Sequence, residues 1–97
     1  MSRRIVLALE AEREFDAAAD WYESQAGLGA EFVTSVREAL HRISDAPGAY
    51  GSVYRNVRCA RVRRFPYNVF YRVHDDRIDV IAIIHGHRDP SIWKART

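Results

Sequence analysis

The chain has a single cysteine, no long hydrophobic run and little net charge, and each of these shortages excludes a class of protein. With one cysteine, Cys59, it cannot form an internal disulfide or a cysteine metal cluster, so we expect a reducing, cytoplasmic setting. No window approaches the ~20 apolar residues of a membrane span, so membrane insertion is not expected. The net charge of +2 is too small to indicate a general nucleic-acid-binding protein.

The composition that remains is that of a small globular protein. Of 97 residues, 47% are hydrophobic and 29% are charged. A chain of this length closes about one hydrophobic core, so we expect residues 1–97 to form a single domain. The apolar run near the N-terminus is shorter than the core of a signal peptide and meets Glu10, so it is interpreted as a first strand.

The hydrophobic period changes once along the chain, from helical to strand-like. Helical spacing covers about residues 10–25 and, after a glycine break, continues to about residue 46. A loop over residues 45–53 precedes three strands, over residues 57–64, 68–74 and 78–85. The predicted fold is α+β in the order β-α-α-β-β-β. A helical hairpin packs on one face of a mostly antiparallel four-stranded sheet, and a short C-terminal helix follows.

The last predicted strand is apolar on both faces, which is typical of a central strand. Strict alternation places its side chains in two sets, with Ile78, Val80, Ala82 and Ile84 on one face and Ile81 and Ile83 on the other.

Arginine is concentrated in the sheet region, whereas acidic residues dominate the first helical segment. Residues 55–64 contain five arginines and no carboxylate. On a strand, Arg61 and Arg63 would share one face, and Arg58 and Arg64 the other. These charges either keep a solvated strand from stacking or form a guanidinium surface for phosphate or carboxylate. The asymmetry predicts a mildly acidic helical side and a basic sheet side.

Two histidines and an arginine follow the last strand around Gly86. His85 and His87 at a sheet rim are suited to acid/base chemistry at neutral pH, and the alternative is a structural role at the strand end. No third ligand follows at a recognisable spacing, so no metal site is predicted. The chain also lacks a glycine-rich phosphate loop, a nucleophile elbow and a paired-carboxylate spacing. No cofactor is predicted.

Short motifs are spread over nearly the whole chain. In chain order they are Ala18-Ala19-Asp20-Trp21-Tyr22, Gly27-Leu28-Gly29-Ala30-Glu31-Phe32, Pro47, Val57-Arg58, Arg64-Phe65-Pro66-Tyr67, Phe70-Tyr71-Arg72-Val73, His85, Arg88-Asp89-Pro90 and Trp93. In this order and spacing they resemble the RelE/ParE superfamily of bacterial toxins, and within it the ParE-like, plasmid-stabilisation branch.

The resemblance implies the toxin half of a type II toxin-antitoxin module with one of two activities. ParE-like members poison DNA gyrase, and RelE-like members cleave mRNA on the ribosome. Arg61 and Arg88 match basic positions of the RelE-like pattern, but Cys59, Asn68 and Trp93 stand where that pattern has other residues. These departures favour gyrase inhibition, for which a binding surface suffices.

Two alternatives stay open beside gyrase inhibition. In the first, the chain is a ribosome-dependent endoribonuclease in which His85 or His87 acts as acid/base and Arg61 and Arg88 hold the phosphate. In the second, it is a non-toxic interaction module. The residues expected to bind the target or the antitoxin are Arg58, Arg61, Arg63, Arg64, Arg88 and Trp93.

The resemblance also implies partners. A cognate antitoxin is expected to fold a partly disordered, acidic segment onto the helical hairpin's groove and the sheet edge. The target would be DNA gyrase or the ribosome with its mRNA. No membrane partner is expected, and whether the free toxin forms a homodimer is left open.

Overall fold

The computed structural model describes residues 3–97 as a five-stranded sheet with a helical hairpin on one face. The elements are β1 (Arg4–Leu7), α1 (Leu9–Ala26), α2 (Gly29–Asp45), a 3₁₀ turn (Pro47–Ala49), β2 (Ser52–Tyr54), β3 (Val57–Arg61), β4 (Tyr67–Val73), β5 (Arg77–His85) and α3 (Ser91–Lys94). The strand order is β1-β5-β4-β3-β2, in which β1 runs parallel to β5 and all other neighbours are antiparallel. Across residues 3–97, no helix combines the length and the apolar content needed to cross a membrane.

The predicted α+β class and element order are confirmed, with one addition and one shortening. The addition is β2, a three-residue edge strand within the segment expected to be a loop. The shortening is at β3, which ends at Arg61 instead of Arg64. The chain turns there because Arg64 adopts a left-handed φ of 73° and the Tyr67 N–H bonds the Phe65 carbonyl at 2.8 Å, while the bond from the Val62 N–H to the Tyr67 carbonyl, at 2.9 Å, closes the turn.

The two helices form a hairpin because glycine stands on both sides of Leu28 in the sharp turn between them. Gly27 ends α1 with a left-handed φ of 66°, and its N–H bonds the Glu23 carbonyl at 3.0 Å. Gly29 begins α2 so close to α1 that an added Cβ would lie 2.9 Å from Cβ of Glu23. The Glu23 side chain accepts the Gly29 N–H at 3.1 Å, so one of the N–H groups that the start of α2 leaves unpaired has a partner.

The main core lies between this hairpin and the sheet. Phe32 is fully buried at its centre, and its ring centroid lies 5.0 Å from those of both Tyr22 and Tyr67 and 5.2 Å from that of Phe65. Such aromatic pairs contribute about 0.5–1.5 kcal/mol each beyond their buried area. The cluster fastens α1, α2 and the β3–β4 connection to one another.

A second, smaller core covers the opposite face of the sheet. Trp93 of α3 is 5% exposed, and its ring stacks on Phe70 with centroids 4.4 Å apart and an angle of 17° between planes. Arg96 anchors the segment beyond α3 through a two-pronged ion pair with Glu14, with both N–O distances at 2.9 Å. The central strand β5 is therefore buried on both faces, as predicted.

The predicted division of β5 into two faces is wrong because the strand contains a bulge. Ala82 opposes Phe70 and Val80 opposes Tyr71, which leaves Ile81 as an extra residue. After the bulge the alternation resumes with opposite phase. Ile78, Val80 and Ile83 pack in the main core, and Ile81, Ala82 and Ile84 pack in the second core.

The two tryptophans offer a matched test of this packing. We expect Trp93→Ala to lower the free energy of unfolding by about 3–5 kcal/mol, because it empties the second core. Trp21→Ala should cost less than about 1 kcal/mol, because Trp21 is 56% exposed. Urea denaturation followed by circular dichroism measures both. Equal losses in the two variants would contradict a buried, stacked Trp93.

Candidate binding site at the cationic end of the sheet

Six of the predicted site residues gather at one end of the sheet. This end is where β3 and β5 finish and β4 begins, since Arg61 opposes Asn68, which opposes Ile84. A backbone bond of 2.8 Å from the Gly86 N–H to the Pro66 carbonyl ties the exit of β5 to the β3–β4 turn. We call this region the cationic end, and its residues are Arg61, Arg63, Arg64, His85, His87 and Arg88.

The cationic end contains an open depression on the sheet face opposite the hairpin. Its volume is about 400 Å³, and Arg61 and His87 line it together with Cys59, Pro66, Asn68 and Gly86. Arg42 of α2 donates to the Arg61 carbonyl at 3.1 Å, so the backbone that carries the exposed Arg61 side chain is fixed from the helical side. An exposed guanidinium beside an imidazole and an amide is a surface for an anionic group.

Cys59 lines the same depression but does not supply a nucleophile at neutral pH. Burial raises the pKa of its thiol to about 11, and the positive charge of Arg61 only partly opposes that effect. The thiol therefore stays protonated.

A second depression lies on the helical side of β5. It has a volume of about 270 Å³, and His85, Arg88, Tyr67, Trp21 and Glu14 are among its lining residues. The rings of His85 and Tyr67 meet edge to face, with centroids 5.5 Å apart. Burial raises the pKa of the Tyr67 hydroxyl and the nearby Tyr22 raises it further, whereas the charge of Arg88 opposes the increase. The hydroxyl is therefore a neutral hydrogen-bonding group at physiological pH.

The two depressions meet at the two histidines. The ring centroids of His85 and His87 are 5.3 Å apart, and the His87 N–H donates to His85 Nδ1 at 3.0 Å. In the neutral ring this bond leaves the proton of His85 on Nε2. Arg61 and His87 thus share one side of the sheet, whereas His85 and Arg88 share the other.

Arg58 and Arg63 do not join the Arg61 depression. Arg58 faces the hairpin side, opposite Tyr71, and its guanidinium donates to the Tyr50 carbonyl. Arg63 lines a shallow hollow with Glu38 and other residues of α2. The expectation that Arg61 and Arg63 share a face is wrong, because the chain has left the strand before Arg63.

Trp93 is also removed from the accessible surface. Its ring is occupied by packing against Phe70 and, at 6.0 Å, against Tyr54. The Trp93 side chain can shape a binding surface only by holding α3 in place. Its buried position does not favour the prediction that Trp93 contacts the target or the antitoxin directly.

The helical side also contains a basic groove at the edge where α2 meets β1. A shallow groove between β1 and α2 is lined by Arg3, Arg4, Arg37 and His41 around the apolar side chains of Ile5 and Leu40. Acidic residues are most frequent on α1, whose first turn contains Glu10 and Glu12.

Sequence reasoning missed the residues that position the cationic end. Asn68 lies between Arg61 and Ile84 on the open face, and the sequence had marked it only as a departure from a pattern. Arg42 and Glu14 act across 19 and 69 residues of chain, on Arg61 and Ile83 respectively, and no local pattern signals such contacts. Among residues 3–97, no three His, Cys, Asp or Glu side chains converge on a point that could hold a metal ion.

Comparison with known proteins gives a family match over most of the chain. The family model for the ParE toxin of the type II toxin-antitoxin system, parDE, matches residues 5–90. Toxin ParE2 of Mycobacterium tuberculosis, in strains CDC 1551 / Oshkosh and ATCC 25618 / H37Rv, is 34% identical over 80 residues, which are 82% of this chain and 70% of that protein.

Two solved structures have a similar fold. The chromosomal ParDE toxin-antitoxin system from P. aeruginosa matches with a TM-score of 0.65 at 18% identity, over 87% of this chain and 96% of that chain. The toxin-antitoxin complex RelBE2 from Mycobacterium tuberculosis matches with a TM-score of 0.64 at 18% identity, over 88% and 99%. The resemblance to the RelE/ParE superfamily is confirmed. The chain belongs to the ParE toxin family of type II toxin-antitoxin systems.

The raised pKa of Cys59 predicts slow alkylation of the native protein. At pH 8, a thiol with a pKa of about 11 instead of 9.0 has about 100-fold less thiolate, so iodoacetamide should react about 100-fold more slowly than with the unfolded chain. Arg61→Ala should slow the reaction further, because it removes a charge that lowers this pKa. Mass spectrometry with and without guanidinium chloride measures both rates. Equal rates in the two conditions would contradict a buried thiol.

Proposed function

We propose that this toxin acts by binding DNA gyrase through the cationic end of its sheet, without catalysing a reaction of its own. The observation that carries the proposal is the separation of the two arginines, Arg61 and Arg88, that a ribonuclease would use together to hold one phosphate. Arg61 and His87 line one side of the sheet, and His85 and Arg88 line the other. A phosphate clamp and an acid/base group that act on one scissile bond have to converge on it, whereas a binding surface can use groups spread around a rim.

The exposure of the cationic groups supports the same function. Arg61, Arg64, His87 and Arg88 are exposed, and they project from the turns that end β3 and β5. Guanidinium groups on a rigid scaffold suit forked contacts with carboxylates of a protein or with phosphates of bound DNA. Gyrase bound to DNA offers both carboxylates and phosphates.

A cognate antitoxin is the second partner that we propose. The two similar solved structures are described as toxin-antitoxin assemblies, and the family is that of type II toxin-antitoxin systems. An acidic antitoxin segment would complement the cationic end and silence the toxin by covering it.

Ribonuclease activity is the second candidate function, and the contact between the two histidines favours it. His87 stands beside Arg61, and its ring also contacts His85, 5.3 Å away. An RNA strand that crosses the rim could therefore meet both arginine-histidine pairs. In this mechanism one imidazole would take the proton of the attacking 2′-hydroxyl while Arg61 held the phosphate.

Induction in a bacterial host, with parallel readouts of DNA supercoiling and protein synthesis, distinguishes these functions. We expect filamentation, a DNA-damage response and loss of supercoiling, while translation continues at first. Prompt translation arrest with mRNA cut at ribosomal A-site codons would instead support the ribonuclease. Growth without any defect would support an inert module.

Paired variants test whether the cationic end is the surface involved. We expect Arg61→Ala combined with Arg88→Ala to weaken gyrase binding by at least about tenfold, because two charged contacts are lost. Arg37→Ala on α2 is the matched control, since it removes an exposed arginine elsewhere. Purified gyrase and surface plasmon resonance give the affinities. A larger loss in the Arg37 variant would place the interface on the helices.

His85→Ala combined with His87→Ala separates binding from catalysis. Removal of an acid/base group typically costs about 10²- to 10⁴-fold in rate, so a ribonuclease would lose its activity. A gyrase-binding toxin should keep most of its effect on supercoiling. Full loss of toxicity, with unchanged gyrase affinity, would contradict the binding mechanism.

A further inference from the structure

The edge of β5 is only partly covered by its neighbour. β1 pairs with β5 from Arg4 opposite Arg77 to Leu7 opposite Val80, and then the chain turns into α1. Beyond Val80, β5 continues to His85 with α1 beside it instead of a strand. The backbone groups on this side of the strand therefore need partners that are not part of a sheet.

Two of these edge groups are satisfied by side chains. Arg96 donates to the Ile81 carbonyl at 3.1 Å, and Glu14 accepts the Ile83 N–H at 3.2 Å. Because Arg96 and Glu14 are also bonded to each other, they form a clasp that covers the edge next to β1. The clasp ends at the Ile83 N–H.

Two further groups point to the same open side. Tyr67, which opposes His85, donates its N–H to Phe65 and accepts from Val62, so it does not exchange backbone bonds with His85. The His85 N–H consequently points away from β4, toward the edge. The Ile83 carbonyl points the same way as the Ile83 N–H that Glu14 accepts. The Ile83 carbonyl is therefore a free acceptor and the His85 N–H a free donor. They lie two residues apart on the same edge of β5, which is the spacing that an added strand needs.

The groove beside these groups is apolar with a cation at its end. Ala17, Ala18 and Trp21 of α1 form its wall, and the Trp21 side chain is 56% exposed, which is unusual for so large an apolar group. Arg88 lines the groove and is exposed, and within residues 3–97 it forms none of the ion pairs.

We infer that a short extended segment of the cognate antitoxin adds to β5 at Ile83 and His85, between the clasp and Arg88. Its main chain donates to the Ile83 carbonyl and accepts from the His85 N–H, an apolar side chain covers Trp21, and a carboxylate meets Arg88. The clasp limits the pairing to about three residues. This inference rests on the proposed partner and names the surface that the partner uses.

Charge favours an antitoxin segment over a second copy of the chain. A second β5 edge would bring a further Arg88 toward the same short groove, where the two guanidinium charges would repel. A carboxylate of an acidic antitoxin segment would instead be attracted to Arg88.

Hydrogen exchange of single backbone amides tests the inference. The protein encoded next to this chain in its operon is co-expressed and purified with it, and amide exchange is followed by NMR. We expect the His85 amide to exchange about 100-fold more slowly in the complex than in the free chain. The Ile83 amide should change less, because Glu14 already accepts it. A complex in which His85 exchanges as fast as in the free chain overturns the inference, and slower exchange on concentrating the free chain alone points to a second copy and overturns it too.

Side-chain variants give a second, independent measurement. Trp21→Ala should weaken the complex by about tenfold or more, because it removes the apolar wall. Val53→Ala, at the opposite sheet edge and 50% exposed, is the matched control and should leave affinity unchanged. Val53→Ala should still act on supercoiling when induced alone. If the chain is toxic but its His85 amide is not protected in the complex, only this inference is contradicted. If the chain is not toxic, the proposed function is contradicted, and the exchange rate of the His85 amide still decides where the antitoxin docks.

Discussion

The pairing of β5 with β4 is the constraint on which the remaining structure depends. β5 is buried on both faces, between the helical hairpin and α3, so each of its apolar side chains belongs to one of two cores. A shift of one residue would exchange those assignments. The bulge at Ile81 absorbs one such shift within the strand, and the register after it places Tyr67 opposite His85. The cationic end has its composition because of that register.

Structural features that depend on residues close together in the chain were predictable from the sequence. Features that depend on contacts between distant residues were not. The stripes of α1 and α2, the glycine break and the central position of β5 follow from local periodicity. The strand β2 was missed because three residues give too little pattern to identify a strand. The bulge was missed because strict alternation was the only rule available. The early end of β3 follows from the left-handed backbone of Arg64 and the bond from the Tyr67 N–H to the Phe65 carbonyl, which the sequence does not signal.

The same division applies to the site. Sequence reasoning identified the cationic residues near the end of β5, since a short turn keeps them together. It named Arg58 and Arg63 as binding residues together with Arg61 and Arg88, but the Arg58 guanidinium donates to the Tyr50 carbonyl and Arg63 lies over α2. A cluster of like residues in the sequence thus becomes three separate environments, because strand alternation and a turn separate side chains that are close along the chain.

Arg42 connects parts of the molecule that would otherwise be independent. Its guanidinium reaches from α2 to the hydroxyl of Tyr50, at 3.3 Å, and to the carbonyl of Arg61, at 3.1 Å. The helix, the loop before β2 and the last residue of β3 are therefore linked through one planar group. A protein that binds the hairpin and tilts α2 would displace the Arg61 carbonyl through Arg42. The orientation of the Arg61 side chain therefore depends on binding at the opposite face of the sheet.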